Sequence, residues 1–160
     1  MEKPLYFAYG SNINLDQMRY RCPDATVYGQ AVLDNYDLRF RGSGVATVEP
    51  KEGACVYGLL WELTDKCEAS LDRYEGYPNF YHKTVLPVTL DGEEVHAMVY
   101  IMDLAMPAGL PSTMYYDIVE KGYRDCGLDP AYLQAALKTS MERVYSLTPA
   151  QEMSPGMEML

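Results

Sequence analysis

Histidine and cysteine, the residues that bind most protein-held zinc, are scarce in this chain of 160 residues. It contains two histidines, His82 and His96, and four cysteines, none of them in a Cys-x-x-Cys pair. Neither histidine has a second ligand at metal-binding spacing, so the sequence predicts no metal site. We expect the cysteines to be reduced and to serve mainly as packing residues.

Basic residues are also few: 13 Lys and Arg stand against 23 Asp and Glu, which gives a formal net charge of −10. No cluster of positive charge is present, which disfavours binding to nucleic acid phosphates or to anionic membrane surfaces. No run approaches the roughly 20 apolar residues of a membrane span. The first residues, Met1 to Pro4, do not resemble a signal peptide. A cytoplasmic protein without nucleic acid or membrane partners is therefore expected.

Tyrosine is abundant, with 15 tyrosines against three phenylalanines and one tryptophan. Because tyrosine joins an apolar ring to a polar hydroxyl, such an excess suits a pocket or a half-hydrated interior. The length and composition predict one globular domain, residues 1–147, followed by a tail, residues 148–160, that is a loop or disordered. This tail contains two prolines and a glycine and has no hydrophobic period.

The order of the predicted elements indicates an α+β fold, because strands fill the first two thirds and the longer helices come late. Asp91-Gly92 is a strong two-residue hairpin signal, which favours antiparallel pairing. A barrel is one way for such a mainly antiparallel sheet to close. The predicted strands are 5–9, 25–41, 45–48, 54–63, 81–90 and 93–102, and the predicted helices are 15–19, 65–75, 113–125 and 130–145.

The stretch from Leu5 to Asn12 is the first candidate site, because a strand rich in aromatic residues breaks at Gly10 and a helix follows. Ser11, Asn12 and Asn14 are all good residues for the helix N-cap. A tight turn at a helix start leaves backbone N–H groups without internal partners, and these can bind a carboxylate or an oxyanion. The alternative is an ordinary turn without a ligand.

Glu75 is the second candidate, at the end of a helix that Gly76 closes. At helical periodicity Cys67, Leu71 and Tyr74 form an apolar stripe, and Glu75 falls on its border with an acidic one. Partial negative charge at a helix C-terminus disfavours ionisation of a carboxylate, and burial adds to that effect. Glu75 is therefore either a solvated surface residue or a group able to transfer protons near neutral pH.

Four blocks of the sequence resemble the gamma-glutamylcyclotransferase family. The first and third, fairly specific when found together and in this order, are the Tyr-Gly-Ser-Asn segment and the Leu-Asp-x-x-Glu-Gly segment. The loop 77–80 departs from the family pattern, being one residue shorter than in the animal enzymes. The blocks span roughly residues 5–135 and are 6–12, 44–48 with 56–61, 71–76 with Tyr81, and 111–132.

The resemblance implies a small barrel flanked by helices, with the Tyr-Gly-Ser-Asn turn at the barrel mouth and no metal or cofactor. It implies that Glu75 is the catalytic acid and base, and that Tyr81 and Tyr115 are pocket residues. The substrate-binding segment that it implies is Tyr6, Phe7, Ala8, Tyr9, Gly10, Ser11 and Asn12.

The implied reaction suits these residue types, since a gamma-glutamyl compound carries its own nucleophile and needs mainly orientation and one proton shuttle. The product would be 5-oxoproline. The leaving group stays open between an amino acid, an amine such as lysine, and a biosynthetic intermediate that carries a gamma-glutamyl protecting group. A binding or interaction protein without activity is the alternative of another class. Whether the protein is a monomer or a homodimer also stays open.

Overall fold

The computed structural model describes residues 4–146, which form a closed five-stranded barrel with four α-helices around it. The strands are arranged in the order β1-β3-β2-β4-β5. This arrangement confirms the α+β prediction and shows that the sheet closes into a barrel. The strands are β1 (Leu5–Ala8), β2 (Thr26–Arg41), β3 (Val45–Glu62), β4 (Tyr81–Leu90) and β5 (Glu93–Met102).

The antiparallel pair β2 and β3 forms the largest part of the barrel wall. We predicted two strands, 45–48 and 54–63, where the structure has the single strand β3. The prediction was wrong because Pro50 and Gly53 lie at an irregularity of the pair and do not end the strand: Tyr36 lies opposite Pro50, but Asp34 lies opposite Cys55. Proline is tolerated at such bulges because it has no N–H to contribute to the ladder.

The short strand β1 closes the barrel. It runs antiparallel to β3, with Phe7 opposite Leu60, and parallel to β5, with Tyr6 opposite Met98. The predicted hairpin at Asp91-Gly92 is confirmed, since β4 and β5 pair along their whole length. As a consequence, β1 and β5 end, and β3 and β4 begin, at the same end of the barrel.

Side-chain caps set the starts of three helices: α1 (Leu15–Arg21) at Asn14, α2 (Asp65–Glu75) at Thr64, and α3 (Thr113–Asp125) at Ser112. The fourth helix, α4 (Pro130–Ser146), begins with proline, as predicted. A short 3-10 helix, Ser11–Ile13, precedes α1.

The hydroxyl of Thr64, the N-cap of α2, accepts the N–H of Cys67, and Glu68 of the same helix forms an ion pair with Lys83 of β4.

The core fills the barrel and extends under α1, α2 and α3. Phe7, Phe40, Leu60 and Tyr123 are among its fully buried side chains. Cys22 and Cys67 are also buried, and all four cysteines are free thiols. Within the described residues no helix is long and apolar enough to cross a membrane. The predicted tail, 148–160, lies outside these residues.

A substitution at Gly58 of β3 would test the packing of the barrel wall. A Cβ there would meet the Ala8 carbonyl oxygen and lie 2.6 Å from the Phe7 ring. We expect Gly58→Ala to cost about 2–3 kcal/mol and to lower Tm by roughly 5–10 °C. The control is Gly53→Ala, where a Cβ meets nothing within 4 Å and only the left-handed φ of 84° opposes the change. That control should cost about 1 kcal/mol. Equal Tm shifts for the two variants, measured by thermal denaturation, would contradict the packing described here.

Candidate active site

A pocket of about 190 Å³ opens at the end of the barrel where β1 and β5 end and β3 and β4 begin. The last residue of α2, the first turn of α3 and the 3-10 helix complete its wall. Aromatic side chains make up more than half of this wall. The lining residues are Tyr6, Tyr9, Gly10, Ser11, Asn12, Val45, Ala46, Tyr74, Glu75, Phe80, Tyr81, Tyr100 and Tyr115.

Glu75 is the one charged residue of the pocket wall. Helix α2 ends here because Gly76 adopts the left-handed conformation (φ 67°), and its N–H bonds back to the Arg73 carbonyl. The Glu75 side chain is partly buried. Burial raises the pKa of its carboxyl to about 7, and the nearby Arg21 guanidinium opposes part of that rise. Within residues 4–146 no group donates a hydrogen bond to this carboxylate, so desolvation dominates its pKa.

The turn at Gly10 lines the same pocket as Glu75. A Cβ on Gly10 would lie 3.2 Å from both the Tyr115 hydroxyl and the Ala46 side chain, so any side chain here would press against α3 and β3. The first hydrogen bond of the 3-10 helix runs from the Ile13 N–H to the Gly10 carbonyl. The N–H groups of Ser11 and Asn12 precede that bond and have no acceptor within the helix.

Asn12 holds the turn in place from three directions. Its amide donates to the Tyr6 hydroxyl at 2.9 Å, its carbonyl oxygen accepts the Trp61 indole N–H at 3.1 Å, and its side-chain oxygen accepts a bond from Arg21. Because both Asn12 and the Trp61 indole are buried, these bonds are shielded from water. The turn is therefore fixed to β1, β3 and α1 together.

Arg21, at the end of α1, joins the turn to α2. Its guanidinium donates to the Ser11 hydroxyl at 3.0 Å, to Gln17 at 2.7 Å and to the Tyr74 hydroxyl at 2.6 Å. It also lies 3.6 Å from the centre of the Tyr74 ring. The sequence alone assigned Arg21 no role in the site. Its spacing of four residues from Gln17 indicates a shared helix face, but no sequence signal points to Tyr74.

The pocket tyrosines bond to the barrel through their hydroxyl groups. Tyr9 donates to the Tyr100 carbonyl and Tyr81 donates to the Ala46 carbonyl, both at 2.6 Å, while the Tyr115 hydroxyl accepts the Ala46 N–H at 3.0 Å. Burial raises the pKa of Tyr6, Tyr9 and Tyr81 well above the usual value, and the Glu75 charge adds to the effect. These tyrosines are therefore neutral near pH 7.

Most of the residues proposed from the sequence meet in this pocket: Glu75, Tyr6, Tyr9, Gly10, Ser11, Asn12, Tyr81 and Tyr115. Phe7 and Ala8 do not line it. Both side chains are buried in the core, 0% and 1% exposed. The whole segment was predicted as one site, but only Tyr6 and the residues from Tyr9 to Asn12 reach the pocket.

Three aromatic residues of the pocket were missed. Tyr100 lies on β5, and its ring contacts Tyr6 edge-on with 5.7 Å between the ring centres. Sequence periodicity does not reveal this contact, because the two strands are far apart in the sequence. Phe80 comes from the loop after α2. Tyr74 was predicted on the apolar stripe of α2 with Cys67 and Leu71; unlike these two buried residues it is 48% exposed, and it lines the pocket.

The geometry does not favour Ser11 as a covalent nucleophile. A serine nucleophile needs a neighbouring base, and the partner of the Ser11 hydroxyl is Arg21, which cannot accept a proton. His82 and His96 are exposed residues of β4 and β5 outside the pocket. Over residues 4–146 no three His, Cys, Asp or Glu side chains are grouped so that they could hold a metal ion.

Comparisons with known proteins point to one family. The family model described as "Gamma-glutamyl cyclotransferase, AIG2-like" matches residues 6–123, a range that includes every residue of the pocket wall. Gamma-glutamylcyclotransferase of Homo sapiens is 32% identical over 149 residues, which cover 86% of this chain and 78% of the human protein. Its Bos taurus counterpart is 30% identical, covering 82% and 76%. A solved structure of a gamma-glutamyl cyclotransferase superposes with a TM-score of 0.73 at 29% identity, over 83% of this chain and 85% of that one.

The contact between Arg21 and the site can be tested without a substrate. Replacing Arg21 by Gln removes the one cation that lowers the pKa of Glu75, so that pKa should rise above its wild-type value of about 7. The measurement is a carbon NMR titration of labelled glutamate carboxyls, with the Glu75 signal assigned from Glu75→Gln. The control is Arg19→Gln, which removes an exposed cation of the same helix and should leave the titration unchanged. A lower or unchanged pKa in Arg21→Gln would contradict this account.

Proposed function

The chain belongs to the gamma-glutamyl cyclotransferase, AIG2-like family, and from this membership we propose that it cyclises a gamma-glutamyl substrate and releases 5-oxoproline with an amino acid or amine. The observation that carries the proposal is the Glu75 carboxyl, whose pKa is raised to about 7 inside a small aromatic pocket. A group with a pKa near the working pH can both accept and donate a proton, as such a reaction requires.

In the proposed reaction the pocket folds the substrate so that its α-amine reaches its own γ-carbonyl. Attack by this nitrogen closes a five-membered lactam, and the bond from the γ-carbon to the leaving nitrogen breaks. Both reacting groups belong to one molecule, so the protein supplies mainly orientation. The volume of about 190 Å³ is below the range usual for drug-sized ligands, which suits a group as small as a folded glutamyl unit.

Glu75 is proposed to move the protons. As a carboxylate it takes one proton from the α-ammonium, which frees the amine for attack. It then protonates the leaving nitrogen and removes the remaining extra proton from the ring nitrogen. Overall two protons pass from the attacking nitrogen to the leaving amine, which departs as an ammonium ion, and Glu75 returns to its starting form. No water, metal or oxidant is consumed.

The Gly10–Asn12 turn is proposed to hold negative charge of the substrate. The N–H groups of Ser11 and Asn12 have no acceptor in the 3-10 helix, and both residues line the same pocket as Glu75. They suit the α-carboxylate or the oxyanion that forms when the γ-carbonyl is attacked. The buried tyrosines around them lower the local dielectric and strengthen both interactions.

Two other functions remain compatible with the sequence. The same chemistry would serve a gamma-glutamylamine, or an intermediate protected by a gamma-glutamyl group, and the family assignment alone does not choose the leaving group. A binding protein without activity would have little use for a partly buried carboxylate in the same pocket as the turn, since burying such a charge costs stability. We therefore favour the enzyme, and we propose the cytoplasm as its compartment.

The test is release of 5-oxoproline from a panel of gamma-glutamyl amino acids and amines, followed by mass spectrometry. Glu75→Gln keeps the shape of the side chain but cannot transfer protons, so we expect its kcat/KM to fall by about 10²–10⁴-fold. Glu142→Gln, which changes an exposed carboxylate of α4 outside the pocket, is the matched control and should retain wild-type rates. If Glu75→Gln also retained them, the role proposed for Glu75 would be wrong.

A further inference from the structure

The opening of the pocket differs in chemistry from its buried end. The side chains of Tyr6, Tyr9 and Tyr81 are at most 6% exposed, whereas Tyr74 is 48% exposed and Phe80 is 38% exposed. A gamma-glutamyl unit that cyclises against Glu75 and the Gly10–Asn12 turn fills the buried end. The leaving group, which varies between substrates, must then extend past Tyr74 and Phe80 toward solvent.

We propose that Tyr74 and Phe80 form an apolar subsite for the leaving group, so that gamma-glutamyl compounds releasing an amine with an apolar side chain are preferred over those releasing a cationic one. This inference rests on the proposed function and selects among the leaving groups that the family assignment leaves open.

The pocket wall is mainly aromatic and carries little charge. Glu75 is the only charged side chain among the 13 lining residues. Every tyrosine hydroxyl of the wall already has a protein partner. Tyr100 donates to Asp72, Tyr74 accepts from Arg21, and the other four are bonded as described above. Phe80 has no polar group at all. At the opening, Phe80 and the ring of Tyr74 therefore offer mainly ring surface to a leaving group, and ring surface stabilises apolar groups by removing them from water.

A protein cation already occupies the face of the Tyr74 ring at the opening. The Arg21 guanidinium lies 3.6 Å from the centre of that ring. A cationic leaving group would seek the same contact, because the face of an aromatic ring attracts positive charge. Here it would meet the like charge of Arg21 instead, which favours a neutral group.

The carboxylates near the opening do not provide an alternative partner for a cation. Lys83 forms ion pairs with Glu68 and Asp72, at 2.7 and 3.1 Å, and Asp72 also accepts the Tyr100 hydroxyl. Neither Glu68 nor Asp72 lines the pocket. Both carboxylates are therefore already paired and lie outside the pocket wall, and a further exposed ion pair with a lysine or polyamine leaving group would add little.

Phe80 is well placed to contact the leaving group, because it packs directly against the C-terminal end of α2, where Glu75 lies. Its N–H bonds to the Gly76 carbonyl at 2.8 Å, and its ring contacts Tyr81 edge-on at 5.3 Å. The ring is thus fixed beside Glu75 while more than a third of it stays open to solvent.

The experiment compares three substrates that share the gamma-glutamyl unit: gamma-glutamyl-glycine, gamma-glutamyl-leucine and gamma-glutamyl-lysine linked through the α-amine. For the wild-type protein we expect kcat/KM with the leucine compound to exceed that with the lysine compound by about tenfold or more. Phe80→Ala should lose about tenfold with the leucine compound and change little with glycine, which has no side chain to bind. Phe80→Leu, which keeps an apolar group, should restore most of the loss.

Tyr145→Ala removes an exposed aromatic residue of α4 outside the pocket and should leave all three values unchanged. Equal or better turnover of the lysine compound would overturn the inference while leaving the proposed function intact. A Phe80→Ala variant that lost activity equally with glycine and leucine would also overturn it, because that pattern belongs to a structural role. Absence of 5-oxoproline from all three compounds would instead reject the proposed function, and the inference with it.

Discussion

Desolvation of one carboxylate is the constraint on which this site depends. Glu75 ends α2 at a pocket wall made mostly of tyrosine rings, and burial there raises the pKa of its carboxyl to about 7. In the described residues no hydrogen-bond donor reaches that carboxylate and one cation, Arg21, lies near enough to oppose the rise. Burying a charge without a partner costs stability, and folded proteins retain such a group mainly where function requires it.

The barrel and the pocket share the same hydrogen bonds. Tyr9 and Tyr81 line the pocket with their rings but donate their hydroxyls to backbone carbonyls of β5 and β3, and Tyr115 of α3 accepts the Ala46 N–H. Closing the barrel therefore positions the pocket wall. Arg21 plays the corresponding part outside the barrel, since it joins the Ser11 hydroxyl of the turn to Tyr74 of α2. The abundance of tyrosine follows from this double use of ring and hydroxyl.

The sequence predicted the parts of this structure that local signals determine. Asp91-Gly92 and Gly76 fix their own backbone conformations, so the β4–β5 hairpin was found to the residue and Gly76 was correctly predicted to close α2. Contacts between distant segments leave no periodic trace, which is why Arg21 and Tyr100 were missed. The burial of Glu75 likewise depends on β1, β3 and α3, and helical periodicity placed it only on a border. Phe7 and Ala8 were wrongly proposed as pocket residues, since a matching sequence segment does not tell which of its side chains face the pocket.

The most direct test of the account is the pH dependence of kcat/KM for 5-oxoproline release. Glu75 must begin as a carboxylate, and its pKa is about 7 in the folded protein. The rate should therefore be low near pH 5, rise tenfold per pH unit below the pKa, and level off above about pH 8. A profile without a limb near neutral pH, or with one near the usual glutamate value of about 4.3, would show that a desolvated Glu75 does not control proton transfer.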